Sequence, residues 1–297
     1  MYQQIAANKR RSLILIMLTI AFLIGLGYVY SQAMGDLSYS GVWIAIIVAF
    51  FITGISYFWG DKIALSVNGA KPLTEAENPT IYHLVENLCI ASGQPTPAIY
   101  IINDPAINAF ATGRKPMMAS IAITSGALQK LDKSELEGVI AHELSHVQNY
   151  DMRFMTLVAV LVGAISLLSH FFLRVEWFMG GRRSDNRDGN QLALIFMFVG
   201  VVLAILSPLI AQLIKMAISR RREYLADASG ALLTRYPAGL AGALEKIKAD
   251  ALPMKNAAPA TAHLYLANPF KSGSFANLFS THPPLEERIK RLREMAV

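Results

Sequence analysis

Cysteine is nearly absent from this 297-residue chain. With Cys89 alone no intrachain disulfide can close, and nothing points to an oxidising compartment; Cys89 reads as a small core hydrophobe on a helix. Charge is scarce as well. Asp, Glu, Lys and Arg make up 16% of the residues while 54% are hydrophobic, against about 25% charged in ordinary soluble domains. That balance points to a membrane protein carrying a soluble part. The net charge of +6 could suit nucleic acid. The Lys and Arg residues gather beside apolar segments, however, as membrane flanks do, so the expected partner is the bilayer and no nucleic acid. Repeats of fixed period and long low-complexity tracts are also missing, which excludes solenoids and disordered arrays.

Long apolar runs, by contrast, are present. Leu13–Tyr30, Gly41–Trp59, Phe154–Leu173 and Leu192–Ile214 approach the roughly 20 residues a spanning helix needs. The first follows Lys9-Arg10-Arg11 and is longer than a signal-peptide core, so it reads as a retained anchor. Those basic residues hold the N-terminus in the cytoplasm, and the 31–40 loop has no Lys or Arg. Two crossings return the chain to the cytoplasm at Asp61, and Lys215 and Arg220–Arg222 mark a second cytoplasmic exit. Arg174, Arg182, Arg183 and Arg187 stand on the nominally outer loop of the second pair, which a shallow hairpin would explain equally well. The expected site is a multi-pass protein of the cell (inner) membrane.

The expected fold is membrane α-helical plus α+β. Four hydrophobic helices accompany a cytoplasmic α+β domain assembled from segments before and after the second helix pair. Residues 1–60 form the first pair, 61–153 the first part of the domain, 154–217 the hairpin, and 218–297 the second part. Within 61–153, Pro79 and Gly93 bracket a helix whose Ile81, Leu84, Val85 and Leu88 share a face, with His83 at the surface. Strand-like runs follow at Ala98–Ile102, Asn108–Thr112 and Ser120–Thr124. Later helices are expected over Ser219–Leu233 and from Pro237 to about Asp250. A long irregular loop is expected over 251–281, then a helix after Pro283-Pro284 with Leu285, Ile289 and Leu292 inward.

The chemistry concentrates in His142-Glu143-Leu144-Ser145-His146. On a helix, positions four apart share a face, so two imidazoles can reach one ion. Glu143, beside the first, can serve as general base toward a water activated by that ion. Asp132 and Glu135 read as a capping box that starts the helix, about Ser134–Asn149. Chance would produce HExxH in this composition roughly 0.005 times. A catalytic zinc site usually has three protein ligands. His170, His263, His282 and the acidic residues are available, and Glu223, just past the fourth apolar run, is the best of them. Asp227 lies one turn further, where it can accept a hydrogen bond from a ligand imidazole.

Asn108-Ala109-Phe110-Ala111-Thr112-Gly113, the HELSH helix, Glu223 with Asp227, and Thr281-His282-Pro283-Pro284 occur in that order. With the basic N-terminus, the paired first helices and the hairpin, this pattern resembles the HtpX-type membrane zinc metalloproteases, in the family that also contains the CAAX prenyl endopeptidases. The resemblance implies a zincin-like catalytic domain, one Zn²⁺ per chain on His142, His146 and Glu223, and catalysis by Glu143. It also implies a cytoplasmic active site and quality control of damaged or misfolded membrane proteins, a stress-response role with polypeptide substrates. Asn108–Thr112 would then be an edge strand on which an extended substrate lies. His282, held before two prolines in the segment resembling the family's THPP motif, would be a donor to the oxyanion. Two other functions compete: a prenyl-protein (CAAX) endopeptidase, and a non-catalytic zinc-binding membrane sensor or scaffold. Glu143 speaks against the latter, since a structural site needs no base.

Overall fold

In the computed structural model, residues 2–33, 35–164, 220–250, 252–270 and 283–295 are described. Most of the second apolar pair, the 174–191 loop, His170, Thr281 and His282 lie outside them. Helices α1 (Tyr2–Ala33) and α2 (Ser40–Val67) form an antiparallel pair, each long and apolar enough to cross a membrane. Both outrun the hydrophobic runs, because no Pro interrupts the helix where the polar flanks begin. In α2 the buried positions are, apart from Leu65 near its end, small or hydroxylic (Gly41, Ala49, Thr53, Ser56, Gly60, Ala64), while Trp43, Phe50, Phe51, Phe58 and Trp59 face outward. Small inside and bulky outside is the pattern of helices packed within lipid. At Gly27 a Cβ would strike the Gly41 carbonyl and Ala45, so glycine sets the close approach there.

The soluble part is built on a four-stranded sheet of β1 (Ala70–Pro72), β2 (Ala98–Ile102), β3 (Ala109–Gly113) and β4 (Ala119–Thr124), in the order β1-β2-β4-β3. Strands β2 and β4 are parallel; β1 on β2 and β3 on β4 are antiparallel. Alternation assigns the faces. Ala109, Ala111, Ile121 and Ile123 enter a core with α3 (Pro79–Ser92) and α5 (Lys133–Gln148). Phe110 and Ala122 enter a second core with Ala64 and Leu65 of α2, Met155, Ala159 and Tyr265. Short α4 (Ser125–Lys130) follows β4, its N-cap Thr124 accepting from the Ala127 N–H.

Helix α5 is buried along nearly its whole length and opens with the capping box: Asp132 accepts from Glu135 N, and Glu135 accepts from Asp132 N. Tyr150, at φ 59°, then turns the chain sharply into α6, helical over 151–164. The third apolar run thus begins inside the molecule, with Phe154, Met155, Leu157, Val158, Ala159 and Leu161 all buried. Helices α7 (Arg220–Thr234), α8 (Pro237–Asp250) and α9 (Leu285–Met295) complete the domain. The stretch after α8 departs from the expected irregular loop. Pro259–Leu264 forms a 3₁₀ turn, and the next residues run antiparallel along β3, Leu266 N donating to Ala109 O at 2.9 Å and Asn108 Nδ2 to Ala267 O at 2.9 Å. There the Ala109 carbonyl takes up the Leu266 N–H, and the Asn108 side-chain oxygen accepts from Ala267 N at 3.2 Å.

Candidate metal centre

The helical spacing of α5 stacks His142 over His146, with ring centroids 4.8 Å apart and planes at 83°. Helix α7 crosses α5 where Gly230 meets His142: a Cβ on Gly230 would lie 2.9 Å from the His142 backbone nitrogen. Glu223, Asp227 and Gly230 occupy one face of α7 at intervals of four and three. The close crossing therefore carries both carboxylates to the imidazoles. Ligand atoms of His142, His146 and Glu223, all buried, lie within 4.8 Å of one another. The two Nε2 atoms are 3.2 Å apart, and the Glu223 oxygens stand 3.8 Å from His142 Nε2 and 3.6 Å from His146 Nε2.

Each imidazole is held from behind. His142 Nδ1 donates to Asp227 Oδ1 at 2.9 Å, and His146 Nδ1 to Asp151 Oδ2 at 3.3 Å. A carboxylate only accepts, so this network assigns the proton to Nδ1 and turns both Nε2 lone pairs inward. Two lone pairs and a carboxylate converging on one point repel one another unless a cation lies between them. The chemistry of the donor set therefore fits a metal ion.

Asp227 is fixed in turn by fully buried Arg288 from α9, Nε to Oδ2 at 2.9 Å and Nη2 to Oδ1 at 2.7 Å, while Arg288 Nη1 donates to Leu266 O. Asp151 is fixed by Asn8 of the first apolar helix, Nδ2 to Oδ1 at 2.6 Å, and by Arg222 Nη1 at 3.1 Å. Arg222 also donates to Asn8 Oδ1 at 3.2 Å, and Asn8 Nδ2 reaches Asn149 O. Electrostatics follow these contacts. Burial pushes His142 down to about 4 despite Asp227. Burial would lower His146 too, but Asp151 and Glu223 outweigh it and raise the group to about 9. The carboxylates around His146 thus favour a positive charge there, which a cation bound at Nε2 would supply in place of a proton. Burial would raise Asp227, yet Arg288 and His142 bring it down to about 2.

Glu143 points to the same space from the next position of α5. Burial lifts its carboxyl to about 7, with His146 opposing and Glu223 adding to the rise, and the backbone N–H of Ala111 in β3 donates to it. The register explains Ala111. Asn108, Phe110 and Thr112 direct their backbone groups at β4, so those of Ala109, Ala111 and Gly113 face the sheet's outer edge.

The structure thus brings together His142, Glu143, His146 and Glu223, with Asp227 and Arg288 behind them, while His282 falls outside the described residues. His263 sits elsewhere, buried, its Nε2 donating to Met155 O at 2.9 Å. Sequence reasoning missed Asp151, Asn8 and Arg222. On an unbroken helix a residue five positions after His146 would point about 140° away from it; only the left-handed turn at Tyr150 folds Asp151 back.

Comparison with known proteins gives consistent results. The family described as Peptidase family M48 matches residues 75–296. A protein named "Protease HtpX homolog" from Ligilactobacillus salivarius is 44% identical over 99% of this chain and 100% of its own length. Another of that name, from Dictyoglomus thermophilum, is 46% identical over 99% of this chain and 94% of its own. Among solved structures, Ste24p of S. mikatae superposes with a TM-score of 0.53 at 18% identity, covering 98% of this chain and 67% of that one; at that identity the likeness is one of fold.

Proposed function

The chain belongs to peptidase family M48 and is a membrane metalloendopeptidase, and from that premise we propose that its metal is zinc, held by His142, His146 and Glu223, with Glu143 as the general base. The supporting observation is the spacing of the three donors. Two ligands bound at about 2.1 Å to one tetrahedral ion lie roughly 3.4 Å apart; the two Nε2 atoms are 3.2 Å apart, one Glu223 oxygen is 3.6 Å from His146 Nε2 and the other 3.8 Å from His142 Nε2, and one donor atom from each residue falls within 4.8 Å of the others. When bound, the ion supplies Lewis-acid activation of water and of the scissile carbonyl. The chain's own residues do the rest. The Glu143 carboxylate, aimed by the Ala111 N–H, takes a proton from water and returns it to the leaving amine nitrogen. Asp227 and Asp151 keep the two Nδ1 protons in place, so that neither ring turns its wrong nitrogen inward. At the Ala111–Gly113 end of β3, beyond the part that residues 265–267 cover, the outward backbone groups offer an extended substrate an edge to lie along, a mode that reads backbone more than side chain. His282, from the sequence alone, would donate to the developing oxyanion.

The same reading assigns the domain to two segments, 61–153 and 218–297, on the cytoplasmic side of the inner membrane, and its substrates to damaged or misfolded membrane proteins. Loose sequence preference suits such substrates. The test is Glu143→Gln in purified full-length protein, with zinc by elemental analysis and cleavage of an unfolded, casein-like substrate. One zinc per chain with cleavage lowered at least about 10²-fold is expected. Retained zinc with cleavage near the unmodified rate sinks the assignment of the base. A farnesylated CAAX peptide, cleaved in preference to the unfolded protein, would move the substrate class to prenyl proteins.

A further inference from the structure

The turn between β3 and β4 carries two large apolar side chains that nothing among the described residues covers: Met117 is 79% exposed and Met118 42%. Single exposed hydrophobes are ordinary on any surface. This pair differs in its location and its construction. Arg114, at the base of the turn, lies with its guanidinium 5.0 Å from the centre of the Phe58 ring and 5.8 Å from that of Tyr57. Arg153 of α6 stands 5.1 Å from the same Tyr57 ring. Tyr57, Phe58 and Trp59 close the apolar run of α2 just before Asp61 and Lys62, and Phe58 and Trp59 face outward. An aromatic cluster at the charged end of a candidate span marks the headgroup level of a bilayer. The turn therefore sits at that level, with Arg114 and Lys115 beside it.

The turn is also stiff. Gly113 has φ 138°, and a Cβ there would strike the Met118 carbonyl. Pro116–Met118 is a 3₁₀ turn closed by Met118 N donating to Lys115 O at 2.8 Å, and Arg114 Nε reaches Met118 Sδ at 3.1 Å. Such a knob holds its methionines out without local collapse to hide them.

We propose that the 114–118 turn is a lipid-docking tip, distinct from the spanning helices, that rests on a glycerophospholipid surface. Met117 and Met118 enter the boundary between headgroups and acyl chains, and Arg114 and Lys115 meet lipid phosphate. Charge complementarity and continuity with the aromatic end of α2 favour lipid over a protein partner. The consequence for the site is geometric. Ala111, whose N–H holds Glu143, is three residues from Arg114 along the strand, on the order of 10 Å. Docking the tip would hold the mouth of the β3 edge at the bilayer surface, where a segment leaving the membrane first meets it.

The test uses full-length Cys89→Ser protein reconstituted in phosphatidylethanolamine/phosphatidylglycerol vesicles, and it is independent of zinc and of proteolysis. Met117→Cys is labelled with an environment-sensitive fluorophore, and Met295→Cys, on α9, serves as the comparison site. A blue-shifted emission at 117 that brominated lipids quench, with a water-like, unquenched signal at 295, is the expected result. Water-like emission at both sites overturns the proposal. So does a signal at 117 shielded from aqueous iodide but untouched by bromolipid, which would mean a protein or a second copy covers the tip. Because the label is itself apolar, unlabelled protein provides the second measurement. In vesicles, a membrane-impermeant oxidant should convert Met117 to its sulfoxide several-fold more slowly than Met295, although Met117 is the more exposed of the two in the chain alone. Equal or faster oxidation of Met117 overturns the proposal as well.

Discussion

Replacing Asn8 by leucine removes an amide while keeping the number and branching of its side-chain heavy atoms, and so tests whether the first apolar helix takes part in the metal site. Asn8 and Arg222 share Asp151 Oδ1, and Asp151 Oδ2 holds His146 Nδ1. Loss of a partner behind a ligand costs about 10–100-fold in metal affinity; Asn8 stands one step further out, so Asn8→Leu should weaken zinc binding by about tenfold. Its effect and that of Asp151→Asn should be non-additive in a double-mutant cycle. Ser12→Ala, one turn along the same helix, should change nothing, and strict additivity would show that Asn8 only packs. Glu223→Ala should lose the ion itself, read as zinc per chain. Asp227→Asn should weaken binding by about 10–100-fold, since the ring loses its carboxylate partner but keeps its place. For His282→Ala, a fall in kcat of about 10²–10³-fold with zinc retained is the expected outcome.

At the level of elements, two helices decide the geometry. The N-cap of α5 is Asp132, whose carboxyl lies below its ordinary value because the Glu135 N–H and the Ser134 hydroxyl bind its charged form. A folded-state value below the unfolded one means the stabilisation is present above the unfolded pKa and fades as pH falls through the folded one. Asp132→Ala should therefore cost about 1 kcal/mol near neutrality, and urea unfolding should show the gap to the unmodified protein closing in acid. The second element is α7, whose crossing depends on Gly230. A methyl group there would lie 2.9 Å from backbone of α5, forcing the helices apart. Gly230→Ala should cost about 1–3 kcal/mol and weaken zinc binding together with stability, because the displaced helix is the one that carries Glu223. Unchanged zinc affinity would mean the crossing has room to spare. Most of these elements are legible in sequence. The capping box, Pro79 and Gly93 around α3, and the short strand-like runs of β2 to β4 are short-range signals, and each boundary falls within a residue or two of expectation. Strand β1 and helix α4 are not legible, since three and six residues are too short for a periodicity to register.

For the whole molecule, the question is which side of the membrane holds the site. The basic residues 9–11 and 220–222 flank the apolar runs on the side of the catalytic domain, and Arg222 meets Asn8 at 3.2 Å. Under the proposed topology, reporters fused after Lys62 and after Val297 both read cytoplasmic. One cytoplasmic and one periplasmic reading would separate His142 from Glu223 by a bilayer and end the zinc assignment.

The sequence by itself determined the two apolar helices at the start and the HExxH helix with its cap. Those features live in composition and in spacings of one to four residues, where helical geometry links sequence to position directly. Tertiary structure alone decided the rest. It turned the chain at Tyr150 so that Asp151 backs His146, drew Asn8 from a membrane helix into the same cluster, and laid residues 265–267 along β3. It also pressed α7 onto α5 through one glycine. These contacts join residues far apart in the chain, 143 positions in the case of Asn8 and Asp151. No local period records such a pairing, because it is the packing of the whole that makes the two meet.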